Sequence, residues 1–363
     1  MYKILYPEND ATIYEGYPNR NTGIDQILEI SKFTQGEFRR DTDFKKSSWE
    51  RNYNSRILLK FNLDGVFEYF DNNAEVMNSL SAKLFLYTAH AESLNDQYTL
   101  VAHPMLRDWK NGSGNFNDLP EITNGVNWRT FNGVDSWDLT VGESYYTSVT
   151  GGGTWNEASS SQTFRIGSPD LSMDVTDIVV GWIENEYDNN GLIIKHTNDA
   201  ESDNDIYGRL KFFGRETHTI FVPKLILFWD ESENIDSGSM NAINNDYIIH
   251  LSNLKSVYKP NEISKLRVFV RDRYRNVNRF NNGENVNILN GNLYYSITDS
   301  VTGTDVLPYH EIGTKVKLDE NGYYMNMDLN NYMPNRYYTI RFKYIHNGFE
   351  EVYNSDFNFR VER

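Results

Sequence analysis

The stretch that most constrains the fold of this chain runs from Phe212 to Asp230. A polar turn at Gly214 separates two apolar segments, and the second, residues 220–229, is rich in β-branched and aromatic side chains, which predicts a strand long enough to cross a sheet. Pro223 lies inside this segment and, because proline has no N–H, predicts an edge strand or a bulge. An acidic stretch follows at once. We therefore place the end of a first domain at Asp230.

The chain divides around that point into a first domain, 1–230, an acidic linker, 231–244, and a second domain, 245–363. Short aromatic and β-branched runs separated by Asn, Gly and Asp predict an all-β protein. Seven such runs in the second domain fit a small immunoglobulin-like sandwich. The clearest helix prediction in the first domain covers residues 173–183, where Asp174 is placed as the cap and apolar residues recur at three-four spacing.

Composition and charge exclude several classes of function. The formal net charge of −16 argues against nucleic acid and anionic membranes as partners, since neither is attracted to an acidic surface. The absence of cysteine excludes disulfides and thiolate chemistry. The N-terminal apolar run is short and broken by Lys3 and Pro7, so we expect no signal peptide, and no run is long enough to span a bilayer. We expect a soluble product made in a cytoplasm.

The sequence holds no recognisable catalytic, phosphate-binding or cofactor motif, and its seven histidines are scattered. We therefore predict no catalytic residues and no cofactor. One segment alternates carboxylates as a calcium loop does, but Asn204 stands where such a loop needs glycine, and Leu210 stands where it needs glutamate. This departure favours a solvated acidic loop over a metal site. The weak metal candidates are Asp199, Glu201, Asp203 and Asp205.

Residues 109–161 are a loop-rich excursion that contains four of the seven tryptophans. Large rings at this spacing can pin a long excursion onto a sandwich, and ordered excursions of this length are often functional. We expect a contact surface here. An alternative is carbohydrate binding through exposed rings that stack on sugars, although each ring alone is more often a core residue. The four interface candidates are Trp109, Trp128, Trp137 and Trp155.

The basic run, residues 265–275, alternates charged and apolar side chains in its first half, which predicts a strand with one basic, solvated face. In a chain this acidic, that face can dock onto an acidic patch of a neighbouring copy. The interface candidates in this run are Arg267, Arg271 and Arg273.

Several stretches of the first domain resemble the DNRLRE-type, carbohydrate-binding-module-like β jelly rolls. These are Asn21-Thr22-Gly23, residues 55–61, residues 81–87, the spaced Trp109, Trp128 and Trp137, and Asp174-Val175-Thr176 with Trp182. The whole chain also resembles the virion structural proteins of large tailed bacteriophages, most specifically in residues 212–230 and further in residues 271–274, 294–299 and 335–338.

The resemblance implies a jelly-roll β-sandwich followed by a smaller immunoglobulin-like sandwich. It implies a structural subunit of the neck, tail, a ring or a capsid-associated layer, located in the virion and not an enzyme, with other virion proteins and copies of itself as partners. A glycan- or host-surface-binding module on the virion is the alternative. A polysaccharide-degrading enzyme is the least favoured hypothesis, because no carboxylate pair stands out among 51 acidic residues.

Overall fold

The computed structural model describes residues 1–34, 52–137, 151–165, 170–230, 247–272, 289, 291–346 and 348–362. The chain divides into two compact units. The large unit comprises Ile4–Ala74 and Ser81–Ile226, and the small unit comprises Met1–Lys3, Glu75–Leu80 and Leu227–Arg363. The acidic linker predicted at 231–244 lies outside the described residues.

The first twelve strands form two sheets, and the first and last of these strands contribute residues to both units. The strands are β1 (Tyr2–Leu5), β2 (Pro7–Tyr14), β3 (Ile27–Thr34), β4 (Asn52–Phe61), β5 (Ser81–Leu86), β6 (Thr88–Glu92), β7 (Gln97–Pro104), β8 (Ser160–Arg165), β9 (Leu171–Asp174), β10 (Leu192–His196), β11 (Gly208–Phe213) and β12 (Lys224–Phe228). One sheet has the order β1-β12-β5-β9. The other has the order β6-β11-β3-β4-β10-β7-β8, with β2 also paired to β4.

The eight-stranded sheet joins strands that are far apart in sequence, as Greek-key and jelly-roll sandwiches do. Strand β10 is buried along its whole length and lies between β4 and β7. Ile193 in β10 stands opposite Leu58 in β4 and His103 in β7. This register places the core of the large unit over the middle of the sheet, where Ile193, Leu58 and Ile13 are fully buried.

Three helices accompany these strands: α1 (Asp64–Asn72), α2 (Thr176–Ile183) and α3 (Asn198–Ser202). Short 3-10 turns cover Ala74–Ser79 and, later in the chain, Leu329–Asn331. Helix α2 starts later than the sequence predicts, because its N-cap position is Val175. The Asp174 carboxylate accepts hydrogen bonds from the backbone N–H and hydroxyl of Thr176, at 3.0 and 2.6 Å, and so turns the chain before the helix.

Strand β12 differs from the prediction made on Pro223. The strand begins at Lys224, and its place between β1 and β5 makes it an interior strand of its sheet. The prediction of an edge strand is therefore wrong, whereas the alternative of a bulge near Pro223 stays a prediction. Pro223 immediately precedes the first strand residue, so its missing N–H removes no hydrogen bond from the sheet, and residues 220–222 are not part of the strand.

The small unit contains two further sheets, ordered β13-β15-β19-β18 and β14-β21-β20-β16-β17. Their strands are β13 (Tyr247–Ser252), β14 (Val257–Tyr258), β15 (Ile263–Asp272), β16 (Asn292–Asp299), β17 (Asp305–Leu307), β18 (Lys317–Asp319), β19 (Gly322–Asp328), β20 (Arg336–His346) and β21 (Phe349–Val361). Read in chain order, the first sheet has the ABED arrangement of an immunoglobulin-type sandwich. The second has the CFG arrangement in β16, β20 and β21, with two added edge strands, β14 beside β21 and β17 beside β16.

A tyrosine corner stabilises this immunoglobulin-like unit. The hydroxyl of Tyr338, near the start of β20, donates a 2.8 Å hydrogen bond to the carbonyl oxygen of Met333. In immunoglobulin-type sandwiches a tyrosine at this place ties the strand to the preceding loop. The all-β sandwich class expected from the sequence is confirmed. Among the described residues, no helix has the length and apolar character needed to cross a membrane.

Candidate functional site

A buried ionic cluster in the large unit gathers Arg56 from β4, Lys195 from β10 and Glu201 from α3. We call these three residues the Glu201 cluster. The Arg56 guanidinium donates to both carboxylate oxygens of Glu201, at 2.9 and 2.8 Å, and the Lys195 ammonium lies 2.9 Å from one of them. Their side chains are 4%, 0% and 8% exposed, so water screens these charges poorly.

The strands place the cluster by register. Because Ile194 pairs with Ile57, the neighbouring residues Lys195 and Arg56 lie side by side on adjacent strands. Helix α3 then supplies Glu201, and its start is fixed by the Thr197 hydroxyl, which accepts from an N–H in the first turn.

The electrostatics of the cluster are set by burial and by opposite charge. Burial alone would raise the pKa of Glu201, but the charges and hydrogen bonds of Arg56 and Lys195 together lower it. Burial lowers the pKa of Lys195 to about 8, against the raising effect of Glu201. The Lys195 ammonium also donates to the His196 carbonyl at 2.9 Å and to the Asn198 side chain at 2.7 Å. All three of its N–H groups therefore have acceptors.

Two of the predicted tryptophans form the aromatic wall of the cluster. The Arg56 guanidinium carbon lies 4.7 Å from the ring centroid of Trp128 and 5.0 Å from that of Trp155. The Lys195 ammonium lies 5.4 Å from the Trp155 ring. These are cation–π distances, and such contacts strengthen where water is excluded. The rings thus help to hold cations inside the unit.

Gly152 closes the cluster from a third side. Its carbonyl accepts from Arg56 at 2.5 Å, and its N–H donates to the Trp128 carbonyl at 2.6 Å. The residue has φ 95°, in the region that favours glycine, and a Cβ here would lie 2.4 Å from the Arg56 guanidinium. Any side chain at position 152 would therefore displace the arginine.

The acidic loop considered as a calcium site binds a cation that the chain itself supplies. The buried ammonium of Lys32 donates to the Ala200 carbonyl, to the Asp203 carboxylate and, at 2.8 Å, to the Asp203 carbonyl. Burial alone would raise the pKa of Asp203, but the hydrogen bonds from Lys32, Tyr207 and the Asp205 N–H together lower it. Asp199 and Asp205 are exposed.

The four metal candidates therefore do not converge on one point. Glu201 faces Arg56 and Lys195, while Asp203 faces Lys32. Within the described ranges of the chain, no group of three or more His, Asp or Glu side chains is placed to hold a metal ion.

The four tryptophans proposed as interface residues all lie in the core of the large unit. Trp109, Trp128, Trp137 and Trp155 are 1–4% exposed and belong to one hydrophobic cluster. The Trp109 indole N–H donates to the Asn190 carbonyl, and that of Trp137 donates to the Asn127 carbonyl, both at 3.0 Å. The rings pin the excursion, and in the single chain they offer no face to a sugar. The contact surface stays a prediction for the outer residues of this segment, of which 138–150 lie outside the described residues.

An open groove of about 680 Å³ lies beside this pinned segment. We call it the Phe131 groove. The guanidinium of Arg107, one of its lining residues, lies 5.8 Å from the Phe131 ring centroid. The lining residues are Asn9, Arg107, Asp108, Trp109, Lys110, Asn111, Gly112, Phe131 and Asn132.

A buried carboxyl lies near one edge of the same unit. Asp10 is 1% exposed, and its carboxylate accepts a 2.6 Å hydrogen bond from the backbone N–H of Arg215. Burial raises the pKa of Asp10 to about 7, although the Arg215 hydrogen bond and charge oppose the rise. Burial also raises the pKa of Asp25 to about 6. Each of these two carboxyls is held by a backbone N–H, from Arg215 and from Phe116 respectively.

The basic strand of the small unit is β15. Arg267 and Lys265 share one carboxylate, that of Asp319 on β18, at 2.5 and 2.7 Å. The hydrogen bond from Arg267 is the main reason that the pKa of Asp319 lies well below its usual range. The face is thus partly neutralised within the unit. Arg271 belongs to the strand, but its side chain lies outside the described part, as does the whole of Arg273.

The sequence did not point to Arg56, Lys195 or Lys32. A signal was present for two of them, because Lys195 directly follows the apolar run Leu-Ile-Ile at 192–194 and Arg56 directly precedes the apolar run Ile-Leu-Leu at 57–59. A lysine or arginine in such a run is buried and needs a partner. What the run does not show is which of 51 acidic residues supplies that partner.

Comparisons with known proteins add little to this geometry. No protein-family model and no curated protein matches the chain. Among solved structures, the crystal structure of a β-glucuronidase from Parabacteroides merdae, with glycerol in its active site, is similar at 10% sequence identity and a TM-score of 0.17. The match covers 96% of this chain, and this chain spans 35% of the glucuronidase chain. A TM-score this low carries no argument about fold or function.

Proposed function

We propose that this chain is a structural subunit of a tailed-phage virion that works through contacts with other virion proteins and with copies of itself. The resemblance of the sequence to virion structural proteins of tailed bacteriophages is the reason for proposing this class of protein. The observation that supports the structural role is the pinned excursion of the large unit, where four tryptophan rings are buried and two of them, Trp128 and Trp155, pack on the Glu201 cluster. A rigid segment of this kind loses little conformational entropy when a partner binds it.

We take the Glu201 cluster as part of this scaffold rather than as a reaction centre. Both carboxylate oxygens of Glu201 accept hydrogen bonds from Arg56, and all three N–H groups of Lys195 have acceptors. A nucleophile or general base needs a free lone pair within reach of a substrate. The saturated contacts support stiffening of the large unit and leave the enzyme hypothesis the least favoured.

The test is recovery of the chain in purified particles. Virions banded on a density gradient are digested and analysed by mass spectrometry, and the recombinant chain is sized by analytical ultracentrifugation. We expect peptides of the chain in fixed ratio to the major capsid protein, and electron microscopy of the particle then places it in the neck, tail, a ring or a capsid-associated layer. Absence from particles, together with a free monomer at all concentrations, would reject the virion proposal.

A second candidate function is binding to a glycan or host surface, and the Phe131 groove is the observation that favours it. The earlier form of this hypothesis relied on exposed tryptophan rings. Since Trp109, Trp128, Trp137 and Trp155 are core residues, their replacement by alanine would unfold the large unit instead of removing a binding face. The test of glycan binding therefore moves to the groove.

A further inference from the structure

We infer that residues 197–207, which include helix α3, form a flap over the buried side chain of His196 and that acid opens this flap. The flap directly follows β10, and the Tyr207 ring at its far end lies 5.1 Å from the imidazole ring of His196. The histidine is 3% exposed, and a second ring, that of Tyr98 in β7, lies 6.1 Å away. Movement of the flap would therefore bring the imidazole into contact with water.

One cation holds the closed flap onto the sheet. The buried ammonium of Lys32, in β3, donates to the carbonyls of Ala200 and Asp203 and to the Asp203 carboxylate. The Tyr207 hydroxyl donates to the same carboxylate at 2.7 Å, and the Tyr207 N–H donates to the Lys32 carbonyl at 3.2 Å. Within the flap, which is described throughout, Ala200 is the only buried apolar residue. A segment that buries so little apolar surface can open without unfolding the rest of its unit.

The closed flap leaves no acceptor for a second proton on His196. An imidazolium carries a proton on both ring nitrogens, and each of these N–H groups needs an acceptor when it is buried. Within the described residues, Nδ1 of His196 has no hydrogen-bond partner. The carboxylates of Glu201 and Asp203 already accept hydrogen bonds from other side chains. A proton taken up in the closed flap would therefore be stabilised poorly.

The charges around His196 keep it neutral while the flap is closed. Burial is the strongest effect and lowers the pKa of His196 to about 4. Lys195, its neighbour in β10, and Lys32 also oppose a further positive charge. Glu201 in α3 and Asp203 after it favour that charge, but they do not outweigh burial and the two cations.

The other groups that face the imidazole keep their protonation state between pH 7 and pH 4.5. Burial lowers the pKa of Lys195, but only to about 8. The pKa values of Glu201 and Asp203 lie below those of ordinary carboxyl groups, because their bonded partners outweigh the effect of burial. Burial raises the pKa of Tyr98 to about 12, and the hydrogen bond to Asp203 raises that of Tyr207 to about 12. The histidine is therefore the group of this set that titrates.

Acid favours the open flap because opening takes up a proton. An imidazole in water has a pKa of about 6.5, whereas His196 in the closed flap has a pKa of about 4. The ratio of open to closed flap should therefore rise about fifty-fold as the pH falls from 7 to 4.5. Below pH 4 the rise ends, because the closed flap then binds the proton as well.

The experiment is hydrogen exchange of the full-length chain between pH 7 and pH 4.5, measured by mass spectrometry on peptides that cover residues 197–207. An unfolded reference removes the intrinsic dependence of exchange on pH. The N–H groups of Glu201 and Tyr207 donate to the carbonyls of Thr197 and Lys32 in the closed flap, so their exchange reports opening. We expect opening to increase about fifty-fold over this range while tryptophan fluorescence stays that of the folded unit.

Two variants remove the titrating group, and a third is the matched control. His196→Gln should abolish the dependence of flap opening on pH, and His196→Phe, which keeps a ring beside Tyr98 and Tyr207, should do the same with different packing. Burial also lowers the pKa of His103 to about 4, but its Nδ1 lies 3.0 Å from the Ala158 carbonyl oxygen, outside the flap. His103→Gln should therefore leave the response of the flap to pH intact. Circular dichroism at pH 7 checks that each variant is folded.

Four results would overturn the inference. These are exchange in residues 197–207 that does not respond to pH, a response that His196→Gln and His196→Phe both retain, a response that His103→Gln removes, or opening that occurs only together with loss of the folded tryptophan signal. The last result would mean that acid unfolds the large unit as a whole. None of these outcomes bears on whether the chain is present in virions, so this inference and the proposed function fail separately.

Discussion

Replacing Glu201 by glutamine should destabilise the large unit severely while changing its shape very little. The carboxylate neutralises two buried cations, Arg56 and Lys195, which are 4% and 0% exposed. Glutamine keeps one acceptor oxygen but removes the negative charge and turns an N–H₂ group toward at least one donor, the Arg56 Nε–H. Breaking a buried pair and leaving its partner charged costs about 3–5 kcal/mol. A domain has a total free energy of unfolding of only about 5–15 kcal/mol.

This loss is large enough to read from thermal unfolding. For a unit of this size, about 2–4 °C is lost per kcal/mol, so Glu201→Gln should lower the unfolding midpoint of the large unit by roughly 6–20 °C. Tryptophan fluorescence is the assay, because the Trp128 and Trp155 rings pack on the Arg56 guanidinium and report on the cluster directly.

The control is Glu121→Gln in the same unit. Glu121 pairs with Arg20 at 2.7 Å, but its side chain is 39% exposed, and exposed pairs contribute about 0–1 kcal/mol. Both variants thus remove a carboxylate that pairs with an arginine, and the two carboxylates differ in how deeply they are buried. If Glu201→Gln and Glu121→Gln shift the midpoint equally, the buried cluster contributes no special stability and the reasoning is refuted.

Three further predictions follow from single contacts. Lys32→Ala should cost the large unit about 3 kcal/mol, and methylammonium should restore part of this loss in thermal melts where sodium at equal ionic strength does not; equal effects would contradict it. Burial raises the pKa of Asp10 to about 7, so the contribution of this carboxyl to the free energy of unfolding is full below pH 4 and is lost as the pH rises to 7. Asp10→Asn should therefore be more stable than wild type above pH 7, by up to about 4 kcal/mol, and should lose that advantage near pH 4. Urea titrations at a series of pH values measure this difference. Tyr338→Phe should lower the free energy of unfolding of the small unit by about 1–2 kcal/mol, as calorimetry would measure, because it removes the hydrogen bond to Met333. Tyr337→Phe, at a 51% exposed position, should leave that free energy unchanged, and equal effects of the two variants would argue against the tyrosine corner.

The secondary structure was largely predictable because the local pattern determines it. The short aromatic and β-branched runs of the second domain predicted seven strands, and the described residues of that domain form nine, β13 to β21. The strands that the sequence did not predict are short. Strands β9 and β17 contain only four and three residues, too few to show the alternation of apolar and polar side chains. The edge-strand prediction from Pro223 was wrong because the sequence alone does not distinguish a proline just before a strand from one inside it.

The site could not be predicted in the same way, because it depends on which distant side chains meet. Arg56 and Glu201 are 145 residues apart, and no local rule joins them. The carboxylates at 199–205 were interpreted as a solvated acidic loop, yet Asp203 in this loop binds the buried ammonium of Lys32, a residue of strand β3. Pairing of this kind is fixed by strand register and helix placement, which follow from the whole fold.

The Lys32 ammonium makes the conformation of the loop at 199–205 independent of dissolved metal ions. The oxygens of Ala200 and Asp203 that it occupies are of the kind that bind divalent ions in other proteins, yet their counter-ion is covalently part of the chain. Chelators therefore cannot remove the Lys32 ammonium, and a low calcium concentration does not cause it to dissociate. This loop should therefore keep its conformation in EDTA and in calcium-free buffer alike.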